Sequence, residues 1–151
     1  MEFNQQFVQF LIRAKQNTYA GHGSDVAPSR TASHDLRYEE GDFAYYDTYL
    51  GGLKFVGEEA VWVKGKPVWG MNYYGWMLVE EIPDGFGDFL KDALYHVTPE
   101  APYRGPEKWV VGDFEFHCWW QGSVERYQGG EYITWKGDKI YELVYHGGEV
   151  E

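Results

Sequence analysis

Hydrophobic positions along this chain change their spacing three times, and each change marks an element. Phe7, Phe10, Leu11 and Ala14 stand at i, i+3, i+4 and i+7, the buried stripe of one helix. From residue 36 the period shortens to two. Alternation of apolar and polar residues through 36–40, 43–50, 53–64 and 67–74 predicts four strands, the third with a break at Gly57. Helical spacing returns at Phe86, Phe89, Leu90 and Ala93, opened by Pro83-Asp84 and closed by Thr98-Pro99. Alternation then resumes through 107–111, 113–121, 124–135 (with a break near Gly129-Gly130) and 138–146. Lys64-Gly65-Lys66-Pro67 and Lys136-Gly137-Asp138-Lys139 read as hairpin turns, glycine supplying the positive φ.

The second run of elements repeats the first. Gly41-Asp42-Phe43 recurs as Gly112-Asp113-Phe114, and Gly51 as Gly122, at an offset of 71. At 72, Glu59 falls on Glu131, Lys64-Gly65 on Lys136-Gly137, and Tyr73 and Gly75 on Tyr145 and Gly147. The helical stripes match at 79, and Tyr19-Ala20-Gly21 matches Tyr103-Arg104-Gly105. The pattern predicts a single α+β domain over residues 1–151, made of two repeated units at 1–80 and 81–151. Each unit is one helix followed by an antiparallel β-meander, and the two pack with pseudo-twofold symmetry, since one meander cannot hide its apolar face alone.

Differences between the copies single out candidate residues. Phe114, Phe116, Cys118 and Trp120 form the inward face of one strand. Carried back, that face reads Phe43, Tyr45, Asp47 and Tyr49, so an acid stands inward where the other copy has a thiol. An ionised carboxylate there must be paired, hydrogen-bonded or protonated. Tyr45, Asp47, Tyr49, Glu59, Trp69 and Tyr73 are then candidates to line one cavity. Asp47 equally suits a satisfied polar core of tyrosine hydroxyls. Glu59 has its counterpart in Glu131, and so suits a structural place beside a bulge at Gly57.

The other asymmetry is an insertion of thirteen residues, equivalent to His22–His34, rich in Gly, Ser, Pro and Ala and without a period. Long irregular loops in compact domains are often functional. Arg30, Ser33 and His34 in this loop are candidates to meet an anionic group of a ligand.

Composition narrows the chemistry. A formal charge of -11 disfavours nucleic acid and anionic membrane as partners of this chain. Aromatic residues make up 19%, enough for a packed core or a lined cavity. One cysteine, Cys118, cannot form an internal disulfide, and the N-terminal residues lack the basic start and apolar run of a signal peptide, so a cytoplasmic location is expected. No metal or cofactor motif is present: there is no H-E-x-x-H, no cysteine-rich zinc pattern and no phosphate-binding glycine loop. Cys118 reads as an inert inward thiol.

Several segments together resemble a bacterial family of unknown function, found alone or C-terminal to an Xre-type helix-turn-helix in transcriptional regulators. They are FLIRAKQNTYAG (10–21), Ser33-His34-Asp35-Leu36, GDFAYYDTYLGG (41–52), FVGEEAVW (55–62) and Asn72-Tyr73-Tyr74-Gly75. The resemblance implies a sensor-like role and carries no catalytic residue. With the first helix serving the repeat, DNA binding by this chain is not expected. The leading expectation is a small-molecule-binding or sensor module with an aromatic-lined pocket in the first repeat, under the His22–His34 loop. A protein-interaction module, which allows a homodimer, and a small enzyme using Asp47 and Glu59 as general acid and base are the alternatives.

Overall fold

The computed structural model of the chain describes residues 2–151. The described residues form two helices and one eight-stranded antiparallel sheet, a mixed structure that is mostly strand. Helix α1 (Gln5–Gln16) precedes strands β1 (His34–Glu40), β2 (Phe43–Gly51), β3 (Lys54–Val63) and β4 (Lys66–Met77). Helix α2 (Phe86–Tyr95) precedes β5 (Lys108–Val111), β6 (Phe114–Ser123), β7 (Arg126–Trp135) and β8 (Asp138–Glu149). Spatial order is β1-β2-β3-β4-β8-β7-β6-β5, so the two meanders join edge to edge where β4 pairs with β8.

Local chemistry explains the elements. Asn4 caps α1, its side chain accepting from the backbone N–H of Phe7 at 3.1 Å. Gly85, in the left-handed conformation, opens α2. The turns at Lys64-Gly65 and Lys136-Gly137 have positive φ at both central residues, the primed geometry whose twist matches that of the flanking strands.

Both helices lie on one face of the sheet. Phe10 of α1 stacks on Phe43 and Tyr38, and Phe7 meets Trp69 edge-on; Phe89 of α2 stacks on Phe114, and Phe86 meets Tyr141. Burying each such ring stabilises the fold by about 1.5–3 kcal/mol. No helix among the described residues is long and apolar enough to cross a membrane.

The strands depart from the expected pattern at the glycines. β3 and β7 run unbroken through Gly57 and Gly129-Gly130, and the register shifts lie instead at Val61/Trp62 and Ile133/Thr134. The expected breaks at Gly57 and Gly129 are therefore corrected. Each glycine admits a tyrosine: a Cβ at Gly57 would stand 2.4 Å from the Tyr73 hydroxyl, and one at Gly129 would stand 2.4 Å from that of Tyr145. β1 also begins at His34, two residues ahead of the alternation, because His34 and Asp35 already pair with Tyr49 and Thr48 of β2.

Candidate functional site

Alternation along β2 sends Tyr45, Asp47 and Tyr49 under the helices, and the ladder sets Asp47 opposite Glu59 of β3. Both carboxylates are buried. They are satisfied differently. Glu59 accepts from Lys15 Nζ at 2.5 Å and from the Tyr45 hydroxyl. Lys15 also donates to the Tyr103 carbonyl at 2.7 Å. Burial lowers the Lys15 pKa, and Glu59 acts against that shift.

Asp47 has one donor, the Tyr73 hydroxyl, 2.6 Å from Oδ1, and no cation within salt-bridge distance among the described residues. Burial, reinforced by the neighbouring Glu59 charge, pushes its carboxyl up to about 7; the Tyr73 bond, Lys15 and Arg104 oppose this without cancelling it.

A third buried acid, Glu131 of β7, is held by Arg104 through Nε at 2.5 Å and Nη2 at 3.0 Å, and by the Tyr141 hydroxyl at 3.0 Å. Burial alone would lower the Arg104 pKa; the Glu131 contact outweighs it and holds the guanidinium firmly charged. On the helix-covered face the buried charges therefore comprise two cations, each matched to a glutamate, and one aspartate, Asp47, left over.

A cavity of about 280 Å³ opens at that aspartate. Tyr19, Tyr49, Phe55, Tyr73, Phe86 and Tyr141 give it aromatic walls, and Leu53, Met77, Ile82 and Leu90 give it aliphatic ones. Asp47 and Arg104 are its charged groups. A smaller cleft of about 20 Å³, room for one water, adjoins it through Tyr19, Asp47 and Arg104 and is bordered by Lys15, Tyr45 and Glu59. The site thus lies between the β1–β4 and β5–β8 halves.

A family model described as a domain of unknown function (DUF5680) matches residues 47–150. The chain belongs to that family. The DUF5680 match takes in Asp47, Glu59, Tyr73, Arg104 and Glu131, and leaves α1 and the loop before β1 outside. No curated protein and no solved structure matches the chain.

Of the residues singled out from the sequence, Asp47, Tyr49 and Tyr73 line the larger cavity, and Tyr45 and Glu59 border the cleft beside it. Trp69 lies in the core instead, packed on Phe7 and Tyr127 with its indole N–H on the Val124 carbonyl at 3.1 Å. Arg30 and Ser33 serve the opposite face of the sheet. There Asp35, paired with Thr48 rather than with Asp47, is buried by the loop. It accepts from Ser33 Oγ at 2.6 Å, Thr48 Oγ1 at 3.0 Å and the Ser29 backbone at 3.2 Å, while Arg30 Nη2 reaches Thr48 Oγ1 at 3.1 Å. The loop therefore folds against the outer face, not over the cavity, because the carboxylate that gathers its donors points outward. His34 reaches the site only by stacking on Tyr49 at 4.9 Å.

Lys15, Tyr19 and Arg104 escape a reading of the strands alone. Lys15 follows Leu11 by four on the apolar stripe of α1, and Arg104 replaces Ala20 within the repeated Tyr-x-Gly, so both had a signal in the sequence. Cys118 is buried, and burial raises its thiol to about 11, which leaves it unreactive at neutral pH. No group of three or more His, Cys, Asp or Glu among the described residues converges as metal ligands.

Proposed function

We propose that this protein is a small-molecule-binding module, a sensor domain built from a duplicated helix–meander unit, whose ligand enters the cavity at Asp47 and Arg104. The single observation that carries this reading is a buried carboxylate without a cation, facing an aromatic-walled space. Leaving such a group unpaired costs several kcal/mol, and a ligand donor offsets that cost.

Support for the duplication comes from the element order and from matched contacts. Tyr73 meets Asp47 at 2.6 Å, and at the corresponding positions Tyr145 meets Cys118 at 3.4 Å. One half thus holds an acid where the other holds a thiol. Substitution of an acid into one member of a packed pair turns scaffold into site.

A thermal-shift screen of metabolites against the parent and Asp47→Asn tests the proposal. A ligand at about 100 times its dissociation constant stabilises by about 2.7 kcal/mol, which is a rise of roughly 8 °C for a domain of this size. The parent is expected to respond to at least one compound and Asp47→Asn to respond less. No response from either protein contradicts the reading.

An interaction module is the second reading, favoured by a different observation. Leu50, Val56, Tyr74, Val144, Gly130 and Trp119 are consecutive partners across six strands on the face without helices, and Val56, Tyr74, Val144 and Trp119 are exposed.

A further inference from the structure

The two halves differ in how they treat one aromatic ring, and the difference describes a ligand. In the second half, Tyr103 stacks on Tyr127 with centroids 4.1 Å apart and planes 19° from parallel. Phe55 corresponds to Tyr127, and Tyr19 to Tyr103. Phe55 has a parallel neighbour in Tyr141 at 6.4 Å, as Tyr127 has in Trp69 at 5.7 Å. Tyr19, however, makes no stack on Phe55. Its ring meets Tyr49 edge-on at 6.1 Å and 83°, with the Lys91 ammonium 4.9 Å from its centroid. Tyr19 and Phe55 both become cavity walls. The first half therefore has the platform without the ring that covers it.

The polar end is as specific. Asp47 Oδ1 takes the Tyr73 hydroxyl, and Oδ2 receives no hydrogen bond from a described residue. Arg104 spends Nε and Nη2 on Glu131, and its guanidinium lies 5.4 Å from the Tyr73 ring centroid, so a compact ammonium entering here meets a resident cation. A flat group that can share its proton with a carboxyl avoids that repulsion and stacks as well.

We propose that the ligand is a planar aromatic heterocycle with an amidine-type edge, a ring nitrogen beside an amino group, which stacks on Phe55 as Tyr103 stacks on Tyr127 and sets that edge against Asp47. The inference rests on the cavity being a small-molecule site and names its ligand class. The two hydrogen bonds form with the proton on either partner: N–H···O twice when the heterocycle holds it, or O–H···N with N–H···O when Asp47 does. Lys15, Glu59, Arg104 and Tyr73 surround the carboxyl, so their charges bias which partner holds the proton.

The test is calorimetric titration of the folded chain with 2-aminobenzimidazole, with benzimidazole (which lacks the amino group) and with acetamidine (which lacks the ring). 2-Aminobenzimidazole is expected to bind tightest, and each control about tenfold or more weakly. Asp47→Leu, which can make neither hydrogen bond, should reduce 2-aminobenzimidazole affinity by about tenfold or more, and so should Phe55→Leu. Circular dichroism reports whether the variants fold; the three-probe comparison on the parent protein carries the test if they do not. Equal binding of all three probes, or an unchanged affinity in a folded Asp47→Leu, overturns the ligand class. A set of saturated and acyclic fragments run alongside separates the two failures. If these bind at Asp47 while planar amidines do not, the class falls and the pocket stands. If nothing binds, both fall.

Discussion

Asp47 and Glu59 face each other across the β2–β3 ladder, both buried, yet only Glu59 is joined to a cation. Lys15 reaches it from α1, and Tyr45 donates from the same strand as Asp47. Asp47 is left with Tyr73 alone. That inequality sets one acid apart as structure and the other as a group with something to gain from a partner.

It has a consequence for pH. The Asp47 carboxyl rises from 3.8 to about 7 on folding, so between those values the native state binds the proton that the unfolded state releases. Stability contributed by this group is full below pH 3.8 and is lost as pH rises through about 7, with a slope of up to about 1.4 kcal/mol per pH unit. Asp47→Asn is expected to remove that slope and to be the more stable protein at pH 8, by about 1–4 kcal/mol. Urea denaturation across the pH range measures both. Parallel curves for the two proteins would show that Asp47 does not titrate in this window.

Lys15→Met leaves Glu59 buried with hydroxyl donation alone. A loss of about 3–5 kcal/mol is expected in equilibrium unfolding, and adding Glu59→Gln should recover most of it, because the second change removes the stranded charge. A double variant as unstable as the single one would mean that lost packing of the lysine stem dominates.

How far the sequence leads can be read from these same residues. Period-two alternation is enough to turn Asp47 inward, where the structure buries it. The helix stripes and both Lys-Gly turns were equally plain. What alternation could not convey is contact between segments far apart in the chain. Arg104 comes from the loop after α2, yet forms the cavity beside Asp47. Trp69 has the right face but lies too deep beneath α1. The loop ending at His34 lies on the outer side of the sheet because its anchor, Asp35, stands one residue of register from the inward Leu36, a difference that composition does not reveal.

Gly57→Ala tests the glycine as a seat for Tyr73. The added methyl meets the Tyr73 ring and hydroxyl at 2.4 Å and the Tyr49 Cβ at 2.7 Å, so the ring must move away from Asp47. A destabilisation of about 1–3 kcal/mol is expected, with weaker ligand binding. Thermal denaturation and the calorimetric titration report the two effects; neither changing would mean that the ring has room to spare.

Asp35→Ala is the contrasting variant. It strands the Ser29, Ser33 and Thr48 donors on the outer face and is expected to cost about 1–3 kcal/mol in stability while leaving affinity at the cavity unchanged. Affinity that falls together with stability would return the loop to the site.

Whether small molecules occupy the space in front of Asp47 is read from two-dimensional amide NMR of labelled protein titrated with compound mixtures. Shifts are expected to centre on Asp47, Leu53, Ile82, Leu90 and Arg104, and to be lost in Asp47→Leu. Shifts confined to Val56, Tyr74, Val144 and Trp119 on the bare sheet face, or none for any compound, would contradict binding in that space.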